Sequence, residues 1–310
     1  VTAAAPESPA PRPVVLSLGG GLDSWIMLLE GVRRGERIDV VVFIDVADPA
    51  HEDPGEWPGT YDHVDQVVRP LCAARGIELV VIDTAHYPVR DARSLFAWLE
   101  ARHQIPVAGP TRICTRVAKV ERFERWLDDR FPGREVVVWI GFEAGEEDRV
   151  AKDPNAGTTS RRPPRGVDPA VFAATTARRV NRFPLLEWGI CRCRAERIAR
   201  DDGRPVPRKS ACVFCPYGSR GDWQRFAVGL PGQFARTVRL EADKPVTRRG
   251  KKLSIMGYDS RTQRGTPLPA YVARPYRRRP RPCTVCGAAE RATKAAGCGY
   301  LAEAEMQGAV

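Results

Sequence analysis

"VVLSLGGGLDSWIM", residues 14–27, passes from an apolar run through three glycines to an acid and back to apolar residues. A short apolar run that ends in glycine and is followed by a helix-like repeat is a strand turning into a helix. Glycine at such a turn lets backbone N–H groups approach an anion, and the helix N-terminus adds the positive end of its dipole. The lysine that usually grips a phosphate is absent, and Asp23 stands nearby. Neither G-x-x-x-x-G-K-[ST] nor G-x-G-x-x-G is met. The plainer reading is a tight turn with no ligand.

Outward from this loop the first half of the chain alternates strands and helices. "PVVLSL", "RIDVVVFID", "IELVVID" and "REVVVWIGF" read as strands. "DSWIMLLEGVRRG", with Gly35 near its end, "TYDHVDQVVRPLCAARG", "RSLFAWLEARH" and "RVAKVERFERWLDDR" read as helices. Continuous apolar strands separated by helices predict an α/β fold, a doubly wound parallel sheet covered on both faces. Ligands bind outside the carboxyl ends of such strands, which is where the glycines fall. The expected division is a disordered leader at 1–12, a nucleotide-binding α/β domain at 13–150 and a mobile Pro/Gly-rich loop at 151–168. A smaller, mostly α, Cys-containing region at 169–244 follows, with a helix around "RAERIARDDG" and a helical pair near 220–243. A basic linker and Cys-containing tail at 245–310 completes it.

The 310 residues are 43% hydrophobic, as in a soluble globular protein, and the apolar runs are strand-sized rather than membrane-spanning. With no basic n-region and long apolar h-region at the start, a cytoplasmic protein without membrane partners is expected. The formal net charge is +11 and the pI near 9.5, with basic residues thickening in "RRPPR", "RRGKK" and "RPYRRRPRP". A polyanion such as nucleic acid suits that charge through phosphate contact and counterion release. A solvated basic face in an Arg-favouring genome explains it equally well.

Nine cysteines in a cytoplasmic chain argue against a disulfide framework. Two C-x-x-C pairs, "CVFC" at Cys212 and Cys215 and "CTVC" at Cys283 and Cys286, carry the strongest metal signal. The four histidines all precede residue 104, so thiolates would be the main ligands. Cys283, Cys286 and Cys298 form a zinc-knuckle-like set lacking a fourth ligand, for which Zn²⁺ or simple packing is expected. His51, His63, His86 and His103 are available for acid–base work, but His63 lies in an amphipathic helix and reads as a packed or surface histidine. Trp188 and Tyr217 could stack on a base, although core packing is the expectation for both.

The pattern S-x-G-G-G-x-D-S, Ser17 to Ser24, resembles the pyrophosphate loop (PP-loop) of the adenine-nucleotide alpha-hydrolase superfamily. "VVFIDVADPAHEDPGEWPGTYDHVDQVV", with Asp45, Glu56, Pro58, Thr60 and Tyr61, is similar to the second strand and helix of the phosphoadenosine-phosphosulfate (PAPS) reductase-like branch. "RICTRVAKV", with Cys114 and Lys119, "WIGFEAGEEDR", "RFPLLEWG" and "KSACVFCPY" are similar to further segments of that branch, so the likeness covers roughly 13–230.

The resemblance implies a HUP-like fold and cleavage of ATP between its α and β phosphates, with a substrate oxygen adenylated and pyrophosphate expelled. It implies that Ser17, Gly19, Gly20, Gly21, Asp23, Ser24 and Asp45 hold ATP, Asp23 through Mg²⁺, and that Lys119 and Arg149 meet the α-phosphate. Many weak donors in the loop make a single lysine dispensable. It also implies that Cys114, Cys212 and Cys215 meet above the sheet. Three thiolates suit a [4Fe–4S] cluster with one iron open or completed by Cys191 or Cys193; a structural zinc site and persulfide-bearing or free thiols are the alternatives.

Within the superfamily the overall shape is most similar to the sulfur-insertion ATPase of bacterial DNA phosphorothioation systems, which serve in phage defence. That likeness implies nucleic acid as acceptor, DNA ahead of tRNA, with a cysteine desulfurase as sulfur donor and other modification-system proteins as partners. tRNA thiolation is the near alternative. A sulfonucleotide reductase is disfavoured because "AGCGYL" lacks the acid and the His of that enzyme's E-C-G-x-H segment. A nucleic-acid-binding module with a relic loop is the non-enzymatic reading.

Overall fold

The valine-rich runs form strands β1 (Val14–Leu18), β2 (Val40–Ile44), β3 (Glu78–Ile82) and β4 (Glu135–Trp139), followed by β5 (Thr158–Thr159) and β6 (Arg178–Arg182). The computed structural model describes residues 11–108, 112–151, 158–159, 167–207, 210–243, 254–256, 265–276 and 285. The strands order as β3-β2-β1-β4-β6-β5, and every pairing is parallel except that of β5 with β6. The fold is therefore the doubly wound α/β sheet the sequence predicts. The chain leaves β1 toward β2 and β3 on one side and returns to β4 and β6 on the other. That reversal places a crevice at the carboxyl ends of β1 and β4.

The helices are α1 (Leu22–Arg33), α2 (Pro58–His63), α3 (Arg69–Ala74), α4 (Leu95–Ala101), α5 (Ile113–Thr115) and α6 (Glu121–Arg130). They continue as α7 (Glu147–Ala151), α8 (Pro169–Thr175), α9 (Pro184–Glu187), α10 (Arg192–Asp201), α11 (Arg220–Gly229), α12 (Pro231–Ala242) and α13 (Leu268–Val272). A π turn at Val64–Val68 joins α2 to α3, so the predicted second helix is one continuous rod. The wider turn stands just where Pro70 brings no N–H and its ring would crowd a preceding carbonyl. No helix among the described residues is long and apolar enough to cross a membrane.

Three apolar clusters hold the layers together. On one face of the sheet, α1 and the α2–α3 rod bury Trp25, Ile26, Leu28, Val64, Val68 and Leu71 with Ile190, Ala195 and Ala199. On the other, Phe123, Trp126 and Leu127 of α6 cover Val15, Val40, Val42, Val136 and Val138. The third cluster lies among α4, α11, α12 and α13, around Phe96, Phe214, Trp223, Phe226 and Leu268.

Arg122 of α6 is wholly buried, and its guanidinium donates to the carbonyls of Ala118 and Ile82 at 3.0 Å each, and to those of Asp45 and Tyr87. Burial pulls its pKa down to about 10, still far above neutrality.

Several segments differ from the sequence expectation. β6, "RRVNR", was not expected as a strand. Its arginines are accommodated by ion pairs, Arg182 with Glu36 at 2.9 Å and Glu187 at 2.8 Å, while its guanidinium lies 5.0 Å from the Trp139 ring centre. The 151–168 stretch contributes β5 to the sheet edge, and its other residues lie largely outside the described ones. The linker expected at 245–282 contains ordered parts. The buried Glu241 carboxylate accepts from Ile255 N at 2.8 Å and Leu268 N at 2.7 Å, pinning both pieces to α12. Of the expected leader, Arg12 pairs with Glu135 at 2.6 Å, and residues 1–10 lie outside the described residues.

His63 is packed, as its place in the helix suggests, edge-on to Trp25 with ring centres 5.2 Å apart and only 6% exposed. Burial lowers its pKa from 6.5 to about 4. Between those values the unfolded chain binds the proton that the folded chain refuses, so stability falls as pH drops from about 6.5 toward 4. The full loss from this group is about 3 kcal/mol. Replacing His63 by Leu should flatten this limb of a denaturant-midpoint profile; an unchanged slope would refute the assignment.

Candidate functional site

The three glycines cross from β1 to α1 at the topological switch. Gly21 is the N-cap of α1, and Ser24 Oγ donates to Gly21 O at 3.0 Å while accepting from Gly19 N at 3.1 Å, which ties the loop into a compact arch. Gly20 has φ +73°, and a Cβ there would collide with Thr60 Cγ2 and approach Phe43 to 3.3 Å. On the far side, Gly141 follows β4 so closely that a Cβ would lie 3.3 Å from Ser24 N. Ser17, Gly19, Gly21, Asp23, Ser24, Gly141 and Ser210 line a cavity of about 200 Å³. Its wall combines backbone, hydroxyls and a helix N-terminus, a donor set that suits an oxyanion. Gly141 and Ser210 were not singled out from the sequence. Glycine after β4 and the run "KSACVFC" were the signals available for them.

Asp23 stands at the start of α1, and Arg192 Nη1 donates to its Oδ1 at 3.1 Å. Arg192 also donates to Glu196 at 3.1 Å. Burial, opposed by Arg192 and reinforced by Glu146, raises the Asp23 pKa. Arg149 lies in the same electrostatic neighbourhood, paired with Glu146 and 4.2 Å from the Phe142 ring centre. Arg192 is the partner that sequence reasoning missed, because 169 residues separate it from Asp23.

Asp45 follows β2. Its Oδ1 accepts from Ala47 N at 3.0 Å and from Tyr61 OH at 2.7 Å, and Tyr61 OH in turn accepts from Glu56 N at 3.1 Å. Glu56 is buried; Lys119 Nζ donates to its Oε1 at 2.7 Å, Cys212 Sγ lies 3.9 Å from the same oxygen, and Oε2 has no hydrogen-bond partner among the described residues. Burial opposes the Lys119 charge, but Glu56 and then Cys212 outweigh it and hold the pKa above the ordinary lysine value. Lys119 lies within a π turn, Arg116–Val120.

The backbone also joins Glu56 to Cys212 as a β-bridge, Val213 N donates to Gly55 O at 2.9 Å, and Cys215 N donates to Cys212 O at 2.9 Å. Cys114, Cys212 and Cys215 feel one another's charge. Burial pushes Cys114 up to about 11, with Cys215 adding to it, and raises Cys212 well above the usual thiol value, with Glu56 next in weight.

The predicted residues thus fall into two groups at one end of the sheet. Ser17, Gly19, Gly21, Asp23 and Ser24 line the cavity, with Gly20 at the crown of its arch. Lys119 and Cys212 meet at Glu56, with Cys215 and Cys114 in the electrostatic neighbourhood of Cys212, and Asp45 is linked to Glu56 through Tyr61. Lys119 and Arg149 engage carboxylates and are not among the residues lining the cavity. Cys191 caps α10 and Cys193 lies in its first turn. Trp188 packs on Trp139, as expected. Among the described residues no group of three or more His, Cys, Asp or Glu is placed to hold a metal ion. Cys283, Cys286 and Cys298 lie outside the described residues.

No protein-family model matches the chain, and neither does any curated protein. Among solved structures it is similar to the U34-tRNA thiolase NcsA from Methanococcus maripaludis with its [4Fe–4S] cluster. The identity is 16% and the TM-score 0.40, over 74% of this chain and 70% of that one. A likeness of that size transfers no residue roles.

Gly20→Ala should lower stability by about 2 kcal/mol in denaturant titration, from the left-handed backbone and the Thr60 collision. Gly19→Ala, whose Cβ meets only ordinary contacts near 3.7 Å, should stay within about 0.5 kcal/mol. Equal effects would refute this geometry.

Proposed function

We propose that the chain is an ATP pyrophosphatase of the PP-loop kind, yielding AMP and pyrophosphate, that adenylates a substrate oxygen as the first step of its replacement by sulfur. The observation that carries the reading is the cavity at the β1–β4 switch, walled by Gly19, Gly21 and Gly141 and by the hydroxyls of Ser17, Ser24 and Ser210, with an acid at its edge. Backbone and hydroxyl donors can follow charge as it develops on a departing pyrophosphate. A cation explains an acid in an anion site, so Asp23 would hold Mg²⁺, which would supply positive charge against the phosphates. Arg192, at 3.1 Å, occupies that carboxylate here. Lys119 and Arg149 are the cations proposed to reach the α-phosphate, each after leaving its carboxylate, and Asp45 to position the nucleoside.

The thiols at the same end of the sheet give the sulfur-transfer half of the reading. A shared tetrahedral ion needs sulfurs about 4 Å apart, given zinc–sulfur bonds near 2.3 Å. A single structural zinc would need a fourth ligand beside Cys114, Cys212 and Cys215. A larger anionic [4Fe–4S] cluster suits three thiols beside a lysine ammonium, and when bound it would supply an iron able to carry sulfide. Cys114, Cys212 and Cys215 would hold it.

The acceptor proposed is a nucleic-acid oxygen, DNA ahead of tRNA, with a cysteine desulfurase supplying sulfur; the charge of +11 supports a polyanion and the sequence resemblance supports DNA.

With ATP, Mg²⁺ and either DNA or tRNA, the protein should release pyrophosphate and not orthophosphate, and Asp23→Asn should lower the rate by about a hundredfold or more. Orthophosphate as product, or an unaffected variant, would sink the ATP reading; stimulation by tRNA alone would move the acceptor from DNA to tRNA. Anaerobically purified protein should contain iron and labile sulfide, both lost in Cys212→Ser. Zinc without iron would overturn the cluster.

A further inference from the structure

Tyr217 was expected in the core, yet it is 43% exposed, one of the few large apolar side chains so placed. It stands two residues beyond Cys215, and the guanidinium of Arg112, two residues before Cys114, lies 4.8 Å from its ring centre. A cation–π contact between Arg112 and Tyr217 therefore ties the segment that leads into Cys114 to the one that leaves Cys215.

Both members are held in place by local structure. Gly218 N donates to Cys215 O at 2.9 Å behind Tyr217, and Ser219 and Asp222 then close a reciprocal cap on α11, with Ser219 Oγ accepting from Asp222 N at 3.2 Å and Ser219 N donating to Asp222 Oδ2 at 2.7 Å. Arg112 takes up left-handed backbone, φ +36° and ψ +54°, and its carbonyl accepts from Arg116 N at 3.1 Å. A long cationic side chain in that conformation costs backbone energy, which persists where the surroundings fix it. An exposed aromatic face backed by a guanidinium is the surface on which unpaired bases stack, with the cation available to the adjoining phosphate.

We propose that Tyr217 and Arg112 form a platform for an unstacked base of the nucleic-acid acceptor, which places the neighbouring backbone oxygen or base atom over Cys114, Cys212 and Cys215. The inference rests on the nucleic-acid reading above. It makes Tyr217 and Arg112 positioning residues for the acceptor, with no part in binding ATP.

Fluorescence anisotropy with a labelled single-stranded DNA, its duplex and a labelled unmodified tRNA tests the platform without catalysis. Tyr217→Ala should weaken binding of the single strand or the tRNA about tenfold, and Tyr217→Phe should retain it. Arg112→Ala should lower the salt slope by about one, whereas Arg112→Lys should keep the slope and lose affinity. In pyrophosphate release the same Tyr217→Ala change should raise the KM for nucleic acid and leave the KM for ATP alone. Unchanged binding in Tyr217→Ala, a shift in the ATP KM only, or a wild-type protein that binds none of the three probes would overturn the platform. Pyrophosphate release from ATP judges the enzymatic reading separately in each case.

Discussion

A guanidinium sealed in the interior organises the working end of this sheet. Arg122 bonds the carbonyls that close β2 and β3, at Asp45 and Ile82, together with Tyr87 and its own helix at Ala118. Ile82 O already accepts from Asp45 N at 3.1 Å, and Arg122 adds a second donor there; a buried carbonyl left unpaired costs about 1–3 kcal/mol. One planar cation with five donors satisfies several together, and it keeps its charge even though burial lowers its pKa to about 10. The consequences run outward from Asp45. Its carboxylate fixes the Tyr61 hydroxyl, the hydroxyl accepts from Glu56 N, and Glu56 holds Lys119 beside Cys212. A structural cation beneath the strand ends thereby sets the position of a chemical group above them.

Local rules made the sheet legible in the sequence. Valine-rich strands, glycine after β1 and amphipathic helices each obey short-range periodicity, so layer order and the place of the crevice could be read before any coordinates. β6 escaped because its arginines look like surface. Arg182 pairs with Glu36 as well as nearby Glu187, Arg178 with Glu135 and Arg179 with Glu124, and apart from Glu187 these acids come from segments that the local sequence cannot identify. The ordered pieces at 254–256 and 268–272 escaped for a similar reason, since their backbone N–H groups are satisfied by Glu241 of α12.

The candidate site was legible as residues and not as a network. Ser17, Gly19, Gly21, Asp23 and Ser24 are near one another in sequence and line one cavity. Arg192, Gly141 and Ser210 reach the same place from distant segments, and no spacing rule connects them. The cysteines illustrate the limit from the other direction. The resemblance implied that Cys114 meets the C-x-x-C pair, and the three do share one electrostatic neighbourhood, but the Glu56–Lys119 pair among them emerges only in three dimensions.

Ser210 joins that pair to the cavity along the backbone. Ser210 lies against the glycine arch, its Oγ 2.9 Å from where a Gly21 Cβ would be, and two residues later Cys212 pairs with Glu56. One short segment therefore touches both the cavity and the thiols. An anion in the arch would meet Ser210, which stands two residues from the strand-like contact that seats Cys212. Close packing resists gradual deformation, so such a segment has few alternatives to moving as a unit. The wall of the cavity and the seat of Cys212 are therefore joined by two residues of backbone, too short a path for either to be built independently of the other.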